Sequence, residues 1–125
     1  MTDQELLESF ENSLERFREV LAKEKSVENR DASIKRFEFT FELAWKNIQK
    51  SLRVQGIVCR SPKECFQEGF KFELMQDNEK WLKMIDDRNL TVHTYNEELA
   101  EEISKRFRDY LELFEQLMKN LKKTS

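Results

Sequence analysis

The sequence predicts an all-α protein, an up-and-down four-helix bundle with room for a short fifth helix, and three observations carry that expectation. Glycine and proline together number 3 in 125 residues, where average usage gives roughly 15. All-β and turn-rich folds need those residues at their turns. Apolar residues recur at steps of three and four along most of the chain, the period of helices with one buried face. Ten phenylalanines, two tryptophans and two tyrosines supply enough apolar area to exclude a disordered chain. The length fits a single domain over residues 1–125.

The first helix is expected over 3–24. Leu6, Phe10, Leu14, Phe17 and Leu21 follow a near-heptad seam that packs against a nearly antiparallel neighbour. A second helix is expected from Asp31 to Val54, with Ile34, Phe37, Phe41, Ala44, Trp45, Ile48 and Leu52 on one face and Gly56 as its stop. Ser61-Pro62-Lys63-Glu64 reads as an N-cap, a first-position proline and a capping box, opening a short helix to about Met75. Asp77-Asn78 is a turn, after which Trp81, Leu82, Met84 and Ile85 mark a fourth helix running into Arg88-Asn89. Thr94 with Glu97 offers a second capping box, and Leu99 to Leu121 keep helical period as one last helix.

Net charge is −3, which does not advertise a nucleic-acid binder by its overall field. Its distribution is uneven: residues 30–64 carry 8 positive and 4 negative charges, a run that usually means a solvated helix face. Cys59 and Cys65 are separated by five residues, and His93 is the only histidine, too few ligands for a structural zinc site. A disulfide is not expected, because the acidic N-terminus lacks the apolar stretch of a secretory signal. No apolar run approaches the ~18 residues of a membrane span. The expectation is a cytoplasmic, reduced, soluble protein with no membrane partner.

Chemistry concentrates in Asp87-Arg88-Asn89-Leu90-Thr91-Val92-His93-Thr94-Tyr95. Arg88 and His93 would stand about 140° apart on a continuous helix, but Thr91, Val92 and the Thr94 cap predict a break. Across that break Arg88, Asn89, His93 and Tyr95 can face one groove. An imidazole moves protons near neutral pH, and a guanidinium binds phosphate bidentately without losing charge. Together they suit metal-free phosphodiester cleavage, with His93 on the ribose 2′-OH or the leaving oxygen and Arg88 on the transition-state charge. The 2′-OH restricts such an enzyme to RNA, and a two-fold dimer would supply the second imidazole. The structural alternative is a capping or hydrogen-bonded core His93 and a surface ion pair for Arg88.

Arg88-Asn89-x-x-x-His93-x-Tyr95 resembles the R-x4-H-x-Y signature of the HEPN superfamily, and within it the nucleotidyltransferase substrate-binding protein family. The stretch Asp31 to Lys46, with Arg36-Phe37-Glu38-Phe39-Thr40-Phe41-Glu42-Leu43-Ala44-Trp45-Lys46, resembles that family's second-helix pattern. Ser61-Pro62 resembles the start of its third helix, and Thr91 to Tyr95 before Glu97-Glu98 resembles the entry to its last. The likeness spans about residues 5–120. It implies a four-helix-bundle homodimer from a bacterium or archaeon, paired with a minimal nucleotidyltransferase. One view of such proteins makes them the substrate-binding half of a split nucleotidyltransferase. Another makes them metal-independent ribonuclease toxins with the nucleotidyltransferase as antitoxin, needing no cofactor. In that view Arg88 and His93 match the catalytic pair, and Tyr95 matches the tyrosine that the partner modifies with AMP.

On the second helix, Phe37, Phe41 and Trp45 fit the buried stripe. Glu38 and Glu42 lie one turn apart among Lys35, Arg36 and Lys46 and read as surface pairing, Glu42 with Lys46. The functional alternative puts Arg36, Glu38 and Glu42 along a groove wall, with Glu38 orienting Arg88 or His93. No third acidic ligand is patterned with them, so they do not point to a metal. Three functions stay open: the ribonuclease, a non-catalytic subunit presenting RNA or a nucleotide to the nucleotidyltransferase, and a purely structural dimerisation bundle.

Overall fold

The computed structural model describes residues 1–124, and among them every regular element is helical. α1 (Asp3–Leu21) opens with a capping box: the Thr2 hydroxyl accepts from the Glu5 amide at 3.1 Å, and the Glu5 carboxylate accepts from the Thr2 amide. α2 (Val27–Val54) begins four residues before the expected Asp31, because Ser26 caps it by accepting from the Asn29 amide at 3.0 Å. Gly56 ends it as expected, at φ 83°, a conformation only glycine adopts freely.

α3 (Pro62–Lys71) starts from the expected Ser61 cap, whose hydroxyl accepts from the Glu64 amide at 3.2 Å. It stops four residues short of Met75, where Glu73 turns the chain at φ 58°. α4 (Asn78–Leu90) is capped by Asp77, a 3-10 turn covers Thr91–His93, and α5 (Glu97–Ser104) precedes α6 (Phe107–Thr124). The single last helix is therefore two. The break falls at Lys105–Arg106, where the Arg106 amide takes a tighter bond to the Ile103 carbonyl. Asn96, rather than Thr94, caps α5 by accepting from the Leu99 amide at 3.1 Å.

α1 packs on α2 and α6, α3 bridges α2 and α4, and α5 lies on α2. The core between them is aromatic. Phe37 stacks on Phe107 at 4.8 Å and on Tyr110 at 5.6 Å, and Phe66 meets Trp81 edge-on at 4.8 Å, the arrangements ring quadrupoles favour. Gly69 allows α3 to approach α2 closely: a Cβ there would stand 2.8 Å from Met75 Sδ and 3.2 Å from Ile48 Cγ2. No described helix is long and apolar enough to cross a membrane.

The cysteines correct the sequence expectation, since Cys59 and Cys65 form a disulfide. That expectation rested on compartment, whereas the pairing follows from local geometry. The α2–α3 linker folds back so that the Gln49 side-chain amide donates to the Cys59 carbonyl at 2.8 Å. Cys59 is thereby set against the first turn of α3, with the two Cα atoms 5.2 Å apart and both side chains buried, within bridging range.

Candidate functional site

The segment from Asp87 to Glu97 leaves α4, makes the 3-10 turn and enters α5. Trp81, Met84, Asp87 and Thr91 fall on the inward face of this segment and are buried, so Asp87 turns in and its neighbour Arg88 lies at the surface edge. Asp87 is fully buried yet completely paired. Arg106 donates to both of its oxygens, Nε to Oδ2 at 2.7 Å and Nη2 to Oδ1 at 2.8 Å, and the Tyr110 hydroxyl donates to Oδ2. The bond to Asp87 pushes the Arg106 guanidinium further up. Burial first, then the Asp87 carboxylate, raises the Tyr110 phenol well above its usual range.

Arg88 is held from three sides. Its Nη2 donates to Glu42 Oε1, its guanidinium lies 5.2 Å from the centre of the Phe41 ring, and Nη1 donates to Asn89 Oδ1 at 3.3 Å. The other Glu42 oxygen accepts from Trp45 Nε1 at 3.1 Å. Glu42 is thus fixed by α2 and fixes Arg88 in turn, while the Arg88 Nε–H takes no part in these contacts. Beyond Arg88, the Thr91 hydroxyl donates to the Arg88 carbonyl at 2.7 Å and the Thr94 hydroxyl to the Thr91 carbonyl at 2.8 Å. These bonds wind the turn and leave Val92, His93 and Tyr95 on the outside. The His93 and Tyr95 rings lie 6.0 Å apart at 67°, with the Tyr95 hydroxyl 3.5 Å from His93 Nδ1. Tyr95 is 82% exposed.

At the far end of the segment, the largely buried Arg30 of α2 gathers Glu97 at 2.7 Å, Glu101 at 3.0 Å and Asp31 at 2.9 Å. Its guanidinium is raised, by Glu97 first and then Glu101. Buried ionic groups therefore pin both ends of the segment: Asp87 before Arg88, and Arg30 after Tyr95.

The structure brings Arg88, Asn89 and Glu42 together as one cluster and His93 with Tyr95 as another. No hydrogen bond or ion pair joins Arg88 to His93 among the described residues. Glu42, rather than Glu38, meets Arg88, and Glu38 stands 4.0 Å from Lys35 instead. The surface pairing of Glu42 with Lys46 is replaced by the bond to Arg88. Arg36 lies beside the Phe39 ring at 5.9 Å. Spacing and motif alone do not single out Asp87, Arg106, Tyr110 or Arg30. One signal for Asp87 is present in the sequence: it occupies the apolar register of Trp81 and Met84, where a carboxylate needs a partner.

The family described as nucleotidyltransferase substrate binding protein like matches residues 5–123. A Haemophilus influenzae protein named probable ribonuclease HepT is 32% identical over 84 residues, covering 63% of this chain and 58% of that protein's length. A crystal structure of a Thermus thermophilus protein superposes with a TM-score of 0.85 at 42% identity, over 90% of this chain and 98% of the other. A second structure, from Haemophilus influenzae and described as the fold of a substrate-binding domain of a nucleotidyltransferase, gives the same TM-score at 23% identity, over 93% and 98%. It speaks to the fold alone. With its helical core, its R-x4-H-x-Y segment and a family match over nearly its whole length, the chain belongs to the nucleotidyltransferase substrate-binding protein family of the HEPN superfamily.

Proposed function

We propose that this protein is a metal-independent endoribonuclease, active as a homodimer and controlled by a minimal nucleotidyltransferase in a toxin–antitoxin-like pair. In this reading the long helices form an up-and-down bundle, and the protein works in the cytoplasm, where its RNA is. The observation that carries it is the surface placement of His93 and Tyr95 on a turn whose preceding residue cluster holds Arg88 by Glu42, Asn89 and Phe41. A core histidine would instead be buried. His93 takes the proton of a ribose 2′-OH as the 2′-oxygen bonds to phosphorus. The P–O5′ bond breaks, and the departing oxygen takes a proton from the second copy's imidazole. Arg88 holds the charge that grows on the non-bridging oxygens. Asn89, Arg36, Glu38 and Glu42 line the approach to this site. AMP attached to the Tyr95 hydroxyl would put bulk and negative charge beside His93 and oppose the polyanion.

A second reading, a non-catalytic subunit that presents a substrate to the nucleotidyltransferase, is favoured by one observation: Arg88 is already paired with a carboxylate. Cleavage of RNA in EDTA separates the two. The enzyme reading expects cleavage that Arg88→Ala and His93→Ala each abolish without loss of helicity by circular dichroism. Undiminished cleavage by both variants removes these residues from the mechanism, and no cleavage by the native protein returns the second reading.

A further inference from the structure

Phe39 is the only large apolar side chain exposed in the middle of α2, for among the described residues the other two on this helix, Val27 and Val54, stand at its ends. Phe37 and Phe41 are fully buried, while Phe39 is 48% exposed. Charge frames its ring. Lys35 Nζ lies 5.8 Å and the Arg36 guanidinium 5.9 Å from the ring centre. Lys35 reaches Glu38 only at 4.0 Å, and Arg36 makes no ion pair among those of the described residues. Lys35, Phe39 and Glu42 follow one another at steps of four and three, so they share a face of the helix. Phe39 therefore stands one turn before the carboxylate that holds Arg88.

We propose that Phe39, with Lys35 and Arg36, is a stacking subsite for one base of a single-stranded RNA, next to the Arg88 phosphate site. The proposal rests on the ribonuclease reading and names residues outside the 88–95 segment that hold the substrate. The ring is a single exposed apolar surface in the middle of α2, between two cations. That combination matches a nucleotide, whose base has a π-face for the ring and whose flanking phosphates take the ammonium and guanidinium.

The test uses the full chain carrying His93→Ala, so that the strand stays intact, and a single-stranded oligoribonucleotide containing 2-aminopurine, read by anisotropy and by fluorescence quenching. Adding Phe39→Ala is expected to weaken binding about tenfold and to remove the quenching, with native mass and melting temperature unchanged. Phe39→Trp restores both signals. Replacing Lys35 and Arg36 with Gln lowers the slope of log affinity against log salt by about 0.7 for each cation removed. Equal affinity with and without the Phe39 ring overturns the subsite, and so does a change in native mass, which would make Phe39 a contact between copies. If the Phe39-intact parent does not bind the strand at all, the ribonuclease reading itself fails, a result distinct from either of those.

Discussion

Glu42 and Glu38 occupy the same helix one turn apart, yet only Glu42 touches Arg88, and Trp45 holds its second oxygen. A guanidinium fixed in roll presents its remaining N–H groups in one direction, and misplacement by about 1 Å is enough to cost on the order of a hundredfold in rate. Glu42→Gln is therefore expected to lower single-turnover RNA cleavage about tenfold or more, while Glu28→Gln, exposed in the first turn of the same helix, leaves it near the native value. Equal losses from the two would remove Glu42 from the positioning of Arg88. Asp87 acts one residue earlier and at another depth. Removing it leaves the buried Tyr110 hydroxyl without its acceptor and the half-buried Arg106 with Glu102 at 3.8 Å, so Asp87→Ala is expected to lower stability by about 1–3 kcal/mol, measured by urea unfolding. The spacing of Arg88, His93 and Tyr95 was legible because it lies within eight consecutive residues. Asp87 was legible only as a carboxylate in an apolar register, because its partners Arg106 and Tyr110 are 19 and 23 positions away.

Among the elements, helix starts were the most readable where a cap and a proline coincide, as at Ser61-Pro62. The α5–α6 break was hidden because the apolar steps Leu99, Ile103, Phe107, Tyr110 continue across it without a change of period. Its cause is tertiary: Arg106 sits at the break and is bonded to Asp87 of α4. The α2–α3 corner combines two further constraints that composition does not reveal. Gly69→Ala would push a methyl group against buried Met75 and Ile48, an overpacking cost of about 1 kcal/mol that alanine's helix propensity offsets by about the same amount. Reducing the Cys59–Cys65 bridge, which closes a short loop, is expected to cost about 2 kcal/mol through the unfolded chain's added freedom. Urea unfolding with and without reductant measures the second effect, and a Cys59→Ser variant insensitive to reductant confirms its source.

For the whole molecule, the Asp87–Arg106–Tyr110 group, in which Asp87 and Tyr110 are buried, joins α4 to α6 and couples stability to pH. The folded state holds the Tyr110 proton that the unfolded chain releases near pH 10. The contribution of this group is therefore fully present below pH 10 and declines as pH rises above it, because the unfolded state then binds fewer protons than the folded one. Melting temperatures across pH 9–11.5 should fall more steeply in the native protein than in Tyr110→Phe, and parallel curves would contradict this. The all-helical fold and its core follow from residue spacing, but the site depends on contacts between α2 and the 88–95 segment that spacing does not specify.

In the proposed reaction Arg88 and His93 cleave RNA through its own 2′-hydroxyl. Mass analysis of the products made in EDTA from an oligoribonucleotide, beside the same strand with one 2′-deoxy sugar at the cut site, tests it most directly. The expected products are ends bearing a cyclic 2′,3′-phosphate, with no cut at the deoxy position. Cutting at the deoxy position, or products with a plain 3′-hydroxyl, would contradict it.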